Sequence, residues 1–365
     1  METVCKKNMC SACMLCADIC PVDAINIVDS VKALNAEINT RKCINCGLCK
    51  KNCHIENELG FMAPIQCNQG WVNDERQRAL SSSGGIAAAI ERCFIKSGGI
   101  VCSCSYIKNQ FSFIFVDKEA DVTRLTGSKY VKSNPMGIYK KIGGLTSTGQ
   151  KVLFVGLPCQ VAALKLYIGE KNDNLFTIDL ICHGTPSQML FDSYLSCMNI
   201  NVSDDVSFRK KNKFQICIDG KNIYSDGVRD EYIVGFLNGL FYTENCYNCF
   251  YARRERVSDI TLGDSWGTDM LEEIKNGVSL ILTQTAKGKS LVDMTDDICL
   301  FDVNMDKAIC NNKQLISASE KNIKSELFWM VLSKGINVRN AVRICFPYTS
   351  LKQWVKSKLY YLKGI

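Results

Sequence analysis

The sequence predicts an α/β (α+β) protein with a small cysteine-rich unit, a larger mixed-sheet domain and a short helical C-terminus. Three observations support this fold class. Eight cysteines recur at regular spacing within residues 10–53, strand-like and helix-like runs alternate after residue 61, and the last residues have the pattern of an amphipathic helix. We therefore expect domains at residues 1–60, 61–310 and 311–365.

Length and cysteine content indicate how many domains to expect and in which cellular compartment the protein works. A chain of 365 residues can form more than one domain with a stable core. The sequence contains 22 cysteines but no secretory signal pattern, so we expect a cytoplasmic protein whose cysteines are metal ligands or buried thiols. No run reaches the roughly 18 apolar residues of a membrane span, and we expect no such span.

The N-terminal unit contains two cysteine runs of the same pattern. Residues 10–21 read CSACMLCADICP and residues 43–54 read CINCGLCKKNCH, an offset of 33 residues. Three thiolates from one tight loop can bind three irons of a [4Fe-4S] cubane, and the fourth cysteine of each run binds the other cluster. The predicted ligands of the first cluster are Cys10, Cys13, Cys16 and Cys53, and those of the second are Cys43, Cys46, Cys49 and Cys20.

These runs resemble the bacterial-type ferredoxins that hold two [4Fe-4S] clusters. A pair of structural zinc sites is the alternative, which two runs of four cysteines disfavour. One departure is His54, which stands where the second run usually has proline. Proline shields its cluster and removes a backbone donor, so we expect His54 to change the potential and solvent access of that cluster and not its ligation.

The longer remainder alternates between strands and helices. The run SSSGGIAAAIERCFIKSGG predicts a helix that follows a Ser/Gly loop and ends at Gly98 and Gly99. Strands are predicted at GIVCSCSY, FSFIFV, KVLFVG and LFTIDLIC, and helices at QVAALKLYIG and SQMLFDSYLSCM. This alternation predicts a mixed, partly parallel sheet covered by helices, with functional loops at the carboxyl ends of its strands.

Short motifs occupy several of these loops. They are SSSGG at 81–85, TGSKYVKS at 126–133, GLPCQ at 156–160, ICHGTPS at 181–187, CYNC at 246–249 and SDITLGDSWG at 258–267. In this order they resemble the beta subunits of coenzyme F420 (deazaflavin) hydrogenases and dehydrogenases. The resemblance extends from about Gly70 to about Asp302 and implies a flavin domain with its own [4Fe-4S] cluster.

The third cluster would use four late cysteines, Cys159, Cys182, Cys246 and Cys249. Soft thiolates from distant loops suit a cluster within an α/β scaffold. The alternative is that Cys159 and Cys182 are buried apolar side chains and that Cys246 and Cys249 form a thiol pair or half of a zinc site. Three oxidised cubanes would carry about −6, which nearly balances the formal charge of +7. We therefore expect no nucleic-acid partner.

The resemblance also implies a flavin, which we expect to be FAD. Backbone donors at a helix start can bind its pyrophosphate, although the Ser/Gly run is equally compatible with an ordinary helix cap. The expected cofactor-binding residues are Ser83, Gly84, Gly85, Gly127, Ser128, Lys129, Tyr130 and Trp266. The expected catalytic residues are Asp264 and His183, since an unperturbed histidine pKa near 6.5 suits proton transfer. The alternative for the loop with Asp264 is a turn with a buried tryptophan. The alternative for His183 is a histidine that is merely hydrogen-bonded.

The expected function is that of an iron-sulfur flavoprotein oxidoreductase. It would exchange electrons with ferredoxin or another low-potential carrier and reduce or oxidise a small molecule. The alternative is a non-catalytic electron-transfer subunit that connects a partner redox enzyme to its electron source. Either a partner redox subunit or a homo-oligomer is compatible with the sequence. With only two histidines, a His-based zinc enzyme or a Ser-His-Asp hydrolase is disfavoured.

Overall fold

The computed structural model describes residues 2–203, 205–210 and 213–362. The helices are α1 (Leu15–Asp18), α2 (Leu48–Lys51), α3 (Glu75–Leu80), α4 (Ile86–Lys96), α5 (Ile138–Ser147), α6 (Pro158–Ile168), α7 (Gln188–Cys197), α8 (Glu231–Leu237), α9 (Ala286–Asp293), α10 (Met305–Asn311), α11 (Ser325–Ser333), α12 (Val338–Cys345) and α13 (Pro347–Leu362). The strands are β1 (Ile25–Asp29), β2 (Leu34–Ile38), β3 (Gln66–Val72), β4 (Ile100–Ile107), β5 (Gln110–Val116), β6 (Val152–Gly156), β7 (Leu175–Leu180), β8 (Val206–Lys210), β9 (Lys213–Ile218), β10 (Lys221–Asn222), β11 (Ile260–Asp264), β12 (Ser279–Thr283) and β13 (Ile298–Asp302).

The two cysteine runs repeat in structure as well as in sequence. Ala12 and Asn45 have φ angles of 54° and 56°, and Met14 and Gly47 have φ angles of 62° and 73°. This left-handed backbone lets the N–H groups of Ala12 and Asn45 donate to the sulfurs of Cys10 and Cys43, each at 3.4 Å. The helices α1 and α2 follow at equivalent positions. The shared spacing thus produces two equivalent cysteine loops.

The predicted mixed sheet is confirmed. Eight strands follow the order β13-β3-β12-β11-β7-β6-β4-β5. The central strands β4, β6, β7 and β11 pair in parallel, whereas the flanking pairs are antiparallel. Because the carboxyl ends of parallel strands meet at one edge, the loops after β6, β7 and β11 become neighbours.

Helices cover both faces of the sheet. Alternate residues of β6 point to opposite faces, so Leu153 packs against α4 and α9 while Phe154 packs against α5 and α6. The N-terminal segment docks on the second face through Leu15 and Ile19, which join the same core. The sheet is therefore the scaffold on which the N-terminal cysteines are positioned.

The predicted helical C-terminus is also confirmed. Phe328 of α11 and Val342 of α12 are fully buried against α7, α8 and the β8–β9 hairpin. The end of the predicted extension, residues 363–365, lies outside the described residues. None of the helices in the described ranges combines the length and apolar character that a membrane crossing requires.

Candidate iron-sulfur and cofactor sites

The structure places the two predicted sets of N-terminal ligands in different surroundings. All four predicted ligands of the first cluster are buried, namely Cys10, Cys13, Cys16 and Cys53. Of the second set, Cys46 is exposed and the half-buried members are Cys20, Cys43 and Cys49. Burial raises the pKa of Cys13 to about 12, so a cationic iron core would be needed to hold it as a thiolate. The first site lies inside the protein and the second lies at its surface.

A cysteine that the spacing did not identify lies beside the first set. Cys5 is buried and forms side-chain hydrogen bonds with Cys10 and Cys53. The hydrogen bond from Cys5 lowers the pKa of Cys10 to about 6, against the opposing effect of burial. Cys5 lies outside the repeat, so no sequence signal distinguishes it from a core cysteine.

The donor set fits iron-sulfur cubanes. Within residues 2–203, 205–210 and 213–362, no three histidine, cysteine, aspartate or glutamate side chains are grouped so as to hold one metal ion. A structural zinc ion needs four ligands on a single centre. A cubane instead binds each thiolate to a different iron, so its four sulfurs lie farther apart. Thiolate sulfurs are the donors that a cubane uses, so the donor chemistry of the two runs fits the predicted clusters.

The four late cysteines converge on one small cavity. β6 and β7 are parallel neighbours in which Gly156 is paired with Asp179. Cys159 follows the first of these strands and Cys182 follows the second, so sheet topology brings them together. Cys246 lies in a 3-10 helix, Glu244–Asn248, and Cys249 follows it directly. We call this group of four the late-cysteine site.

Two threonines attach the C-x2-C segment to the loop after β7. The N–H of Thr243 donates to the carbonyl of Thr185 at 3.1 Å, and both hydroxyl groups approach the sulfur of Cys246, at 3.4 and 3.8 Å. Burial opposes ionisation of Cys246, yet the Lys132 ammonium and these hydrogen bonds lower its pKa. The site therefore makes Cys246 easier to ionise than its burial alone would allow.

The surroundings of Gly184 explain why the ICHGTPS motif has a glycine at this position. Gly184 has a φ angle of 128°, and a Cβ there would lie 2.5 Å from the ring of Tyr242. A side chain at this position would push the loop away from Tyr242. This glycine therefore maintains the close packing beside Cys182.

His54 joins the N-terminal segment to the late-cysteine site. Its ring nitrogens are hydrogen-bonded to the hydroxyl groups of Ser11, at 2.7 Å, and Tyr251, at 2.8 Å. Ser11 follows Cys10, and Tyr251 lies two residues after Cys249. Burial lowers the pKa of His54 to about 4, so the ring is neutral near pH 7. The residue that replaces the usual proline thus bridges two predicted metal sites.

A larger cavity of about 420 Å³ lies beside the late-cysteine site. The predicted residues in its wall are Ser83, Gly85, Gly127, Ser128, Lys129, Tyr130, His183, Asp264 and Trp266. Cys182 and His183 line both this cavity and the small one. Burial lowers the pKa of His183, which favours its neutral form. The structure therefore brings most of the predicted cofactor residues together.

Gly84 is the predicted residue that does not line this cavity. Its N–H already donates to the hydroxyl of Ser279 at 3.0 Å, and a Cβ would lie 2.3 Å from the carbonyl oxygen of Gly70. Gly84 therefore permits close packing of the loop on the sheet, and the expected role as a pyrophosphate donor is not supported.

Lys129 has backbone partners instead of a free ammonium. Its Nζ donates to the carbonyl oxygens of Leu125 and Thr126, at 2.5 and 2.9 Å, and burial lowers its pKa. The ring of Tyr130 stacks on Phe236 with centroids 4.2 Å apart. Lys129 and Tyr130 thus form a fixed wall of the cavity.

Arg209 and Glu91 are wall residues that sequence reasoning missed. Arg209 donates to Asp264 at 2.6 Å and lies over the ring of Trp266, 5.7 Å from its centroid. Burial raises the pKa of Glu91 to about 8, despite the Lys129 cation. Arg209 stands in the basic run FRKKN and Glu91 in an ordinary amphipathic helix, so neither had a motif to mark it.

Comparisons with known proteins give two family matches and a solved structure of similar fold. Residues 149–304 match the family model for the C-terminus of the coenzyme F420 hydrogenase/dehydrogenase beta subunit, and residues 6–26 match a 4Fe-4S binding domain. A chain of the F420-reducing [NiFe] hydrogenase complex from Methanosarcina barkeri, solved with xenon derivatization, shares the fold with a TM-score of 0.50 and 18% identity. The likeness covers 72% of this chain and 97% of that chain. No curated protein matches the sequence.

The family matches confirm the resemblance that the loop motifs predicted. The matched range contains all four members of the late-cysteine site, and the N-terminal match contains the first cysteine run up to Cys20. Residues 6–26 thus resemble a 4Fe-4S binding domain, and residues 149–304 resemble the C-terminal domain of the coenzyme F420 hydrogenase/dehydrogenase beta subunits.

Proposed function

We propose that this iron-sulfur electron-transfer protein is a flavin-dependent oxidoreductase with three [4Fe-4S] clusters. The observation that carries the proposal is the shared wall of the two cavities. Cys182 and His183 line both the small cavity of the late-cysteine site and the 420 Å³ cavity. A metal centre and an organic redox cofactor would therefore be direct neighbours.

The burial of the cysteines supports an order for the sites. The second cluster has exposed Cys46 among its ligands, so it is accessible to an electron carrier such as ferredoxin. The first cluster is buried, and His54 connects its loop to Tyr251 beside the late-cysteine site. The cubanes would exchange single electrons, and a flavin can exchange either one or two. We infer the order second cluster, first cluster, late-cysteine site and large cavity.

The size and lining of the large cavity suit FAD. Ligand pockets commonly occupy about 300–1,000 Å³, with mostly apolar walls and a few placed polar groups. Gly127 has a φ angle of 86° and open space where a Cβ would lie, so its backbone can approach a phosphate. Ser83 and Ser128 add polar groups in the same wall, and Trp266 and Tyr130 add aromatic surfaces.

We assign positioning and proton-handling roles to the remaining polar wall residues. The neutral ring of His183 can accept a proton at the boundary between the two cavities. Asp264 is ion-paired with Arg209 at 2.6 Å, which fixes both side chains and leaves Asp264 to orient a substrate. Water exclusion would come from the aromatic walls.

A second candidate function is a non-catalytic subunit that passes electrons to a partner enzyme. The observation in its favour is that the structural neighbour is part of an F420-reducing [NiFe] hydrogenase complex. The exposed second cluster would serve a partner redox subunit as well as it would serve a soluble carrier. This candidate predicts no turnover by the isolated chain.

Anaerobic analysis of iron, sulfide and flavin on one purified sample tests the proposal. We expect about twelve irons and one FAD per chain, together with reduction of the flavin by a low-potential donor. About eight irons and no flavin would contradict the proposal and favour the second candidate. Turnover with small-molecule acceptors by the isolated chain would in turn exclude a purely non-catalytic role.

A further inference from the structure

Lys132 is a buried lysine at the junction of two predicted metal sites. It is 7% exposed, and its Nζ donates to the carbonyl oxygen of Ser11 at 3.2 Å. Its backbone N–H donates to the carbonyl of Pro186 at 2.8 Å. These bonds connect the first cysteine run to the loop after β7, so the ammonium has a fixed position between them.

The charges that face this ammonium come from cysteines of both sites. Lys132 lines the small cavity together with Cys159, Cys182 and Cys246, and its largest charge interactions are with these thiols and with Cys10 of the first set. The neighbouring buried guanidinium groups have carboxylate partners: Arg256 pairs with Asp179 and Arg209 with Asp264. Arg256 also faces Cys249, so Lys132 differs from these arginines in that its largest charge interactions are with cysteines of both sites.

A buried ammonium is unfavourable unless an anion compensates its charge. A [4Fe-4S] cubane with four thiolates carries a net charge of about −2 when oxidised and about −3 after gaining one electron. A nearby cation favours the more negative form, and the low dielectric of the interior strengthens this effect. Removal of the cation should make both neighbouring clusters harder to reduce.

We propose that Lys132 is a shared counter-charge that raises the reduction potentials of the first cluster and of the cluster in the late-cysteine site. The proposal rests on the proposed third cluster. Each reduction takes one electron from an external reductant, dithionite in the test below, and no covalent bond forms or breaks. The predicted ligands of the second cluster are not among the largest charge interactions of Lys132, so that cluster serves as an internal reference.

The test is an anaerobic potentiometric titration of the full chain, followed by electron paramagnetic resonance. Wild type is compared with Lys132→Met, which keeps the length of the side chain, and with Lys132→Arg, which keeps its charge. A Cys46→Ser variant identifies the signal of the second cluster. In Lys132→Met, with about twelve irons retained, we expect the reduced-to-oxidised ratio of two clusters to fall at least tenfold at a fixed potential. A tenfold change corresponds to about 59 mV for a one-electron couple.

The outcomes separate a charge role from a packing role. Unchanged potentials in Lys132→Met at full iron content would overturn the proposal. If Lys132→Met loses iron, recovery of both iron and potentials in Lys132→Arg supports the charge role, whereas iron loss in both variants overturns it. A wild-type content of about eight irons would refute both the third cluster and the shared role of Lys132. The iron count therefore distinguishes failure of the third cluster from failure of the Lys132 proposal alone.

Discussion

The two cysteine loops of the N-terminal segment have equivalent backbones but different surroundings. Their left-handed residues and N–H···S bonds match pair by pair. The loop with Cys13 is buried against α5 and α6, whereas the loop with Cys46 faces solvent. Local spacing thus determines how each loop can bind a cluster, and docking determines what that cluster can contact. Because cluster potentials depend on solvent exposure and hydrogen bonds, we expect two nearly identical motifs to give their clusters different potentials.

Equivalent positions of the repeat provide matched variants, and His54 should show the largest difference. It corresponds to Pro21 in the first run, which is exposed. His54→Ala leaves the hydroxyls of Ser11 and Tyr251 without their partner, and a buried unsatisfied group costs about 1–3 kcal/mol. We expect a loss of about 3 kcal/mol in the free energy of unfolding, measured by anaerobic urea denaturation.

The control Pro21→Ala should lose less than about 1 kcal/mol, mainly through the greater freedom of the unfolded chain. Equal losses in the two variants would mean that the His54 bridge adds no stability. In that case the hydrogen bonds of His54 would not be what stabilises the buried position of the first loop.

Asp18 and Lys51 form the next pair. Asp18 is buried, and its carboxylate accepts hydrogen bonds from the N–H groups of Tyr139 and Lys140 at the start of α5, at 3.0 and 3.4 Å. Lys51 occupies the equivalent exposed position. Hydrogen bonds to charged groups contribute about 1.5–3 kcal/mol, so we expect Asp18→Ala to lose about 2 kcal/mol in the same assay.

Lys51→Ala should change the free energy of unfolding by less than about 0.5 kcal/mol, as exposed substitutions usually do. A comparable loss in both variants would indicate that α1 does not dock through Asp18. A loss confined to Asp18→Ala would confirm that docking distinguishes the first loop from the second.

The difference in solvent access between the clusters should have a smaller effect, which is seen in the rate of iron loss. An iron chelator added anaerobically should remove about four irons roughly tenfold faster than the rest, because only the second set contains an exposed ligand. The absorbance of the iron chelate over time measures the fast and slow phases of iron release. The fast phase should be missing in Cys46→Ser, and a single phase in the wild-type chain would contradict the difference in exposure.

Much of the architecture could be predicted because it depends on local pattern. The spacing of the N-terminal cysteines identified loops whose backbones proved equivalent, and strand-helix alternation predicted the parallel centre of the sheet. That topology also explains why Cys159 and Cys182 meet, since they follow adjacent parallel strands. These features need only short-range periodicity and general rules of sheet connection.

The rest depends on contacts between distant segments. Lys132 faces Cys10 only after the N-terminal segment has docked, and Arg209 reaches Asp264 from a hairpin 55 residues earlier in the chain. Gly84 is a residue type typical of phosphate-binding loops, yet its contacts with Gly70 and Ser279 hold it against the sheet and away from the cavity wall. No spacing within the sequence carries such information.

The central claim is that the late-cysteine site holds a third cubane, and the iron content of Cys246→Ser tests it most directly. The control is Cys197→Ser, because Cys197 is half-buried in α7 and its thiol donates to the carbonyl oxygen of Tyr194. We expect Cys246→Ser to contain about eight irons per chain, against about twelve in wild type and in the control. An unchanged iron content in Cys246→Ser would contradict the account.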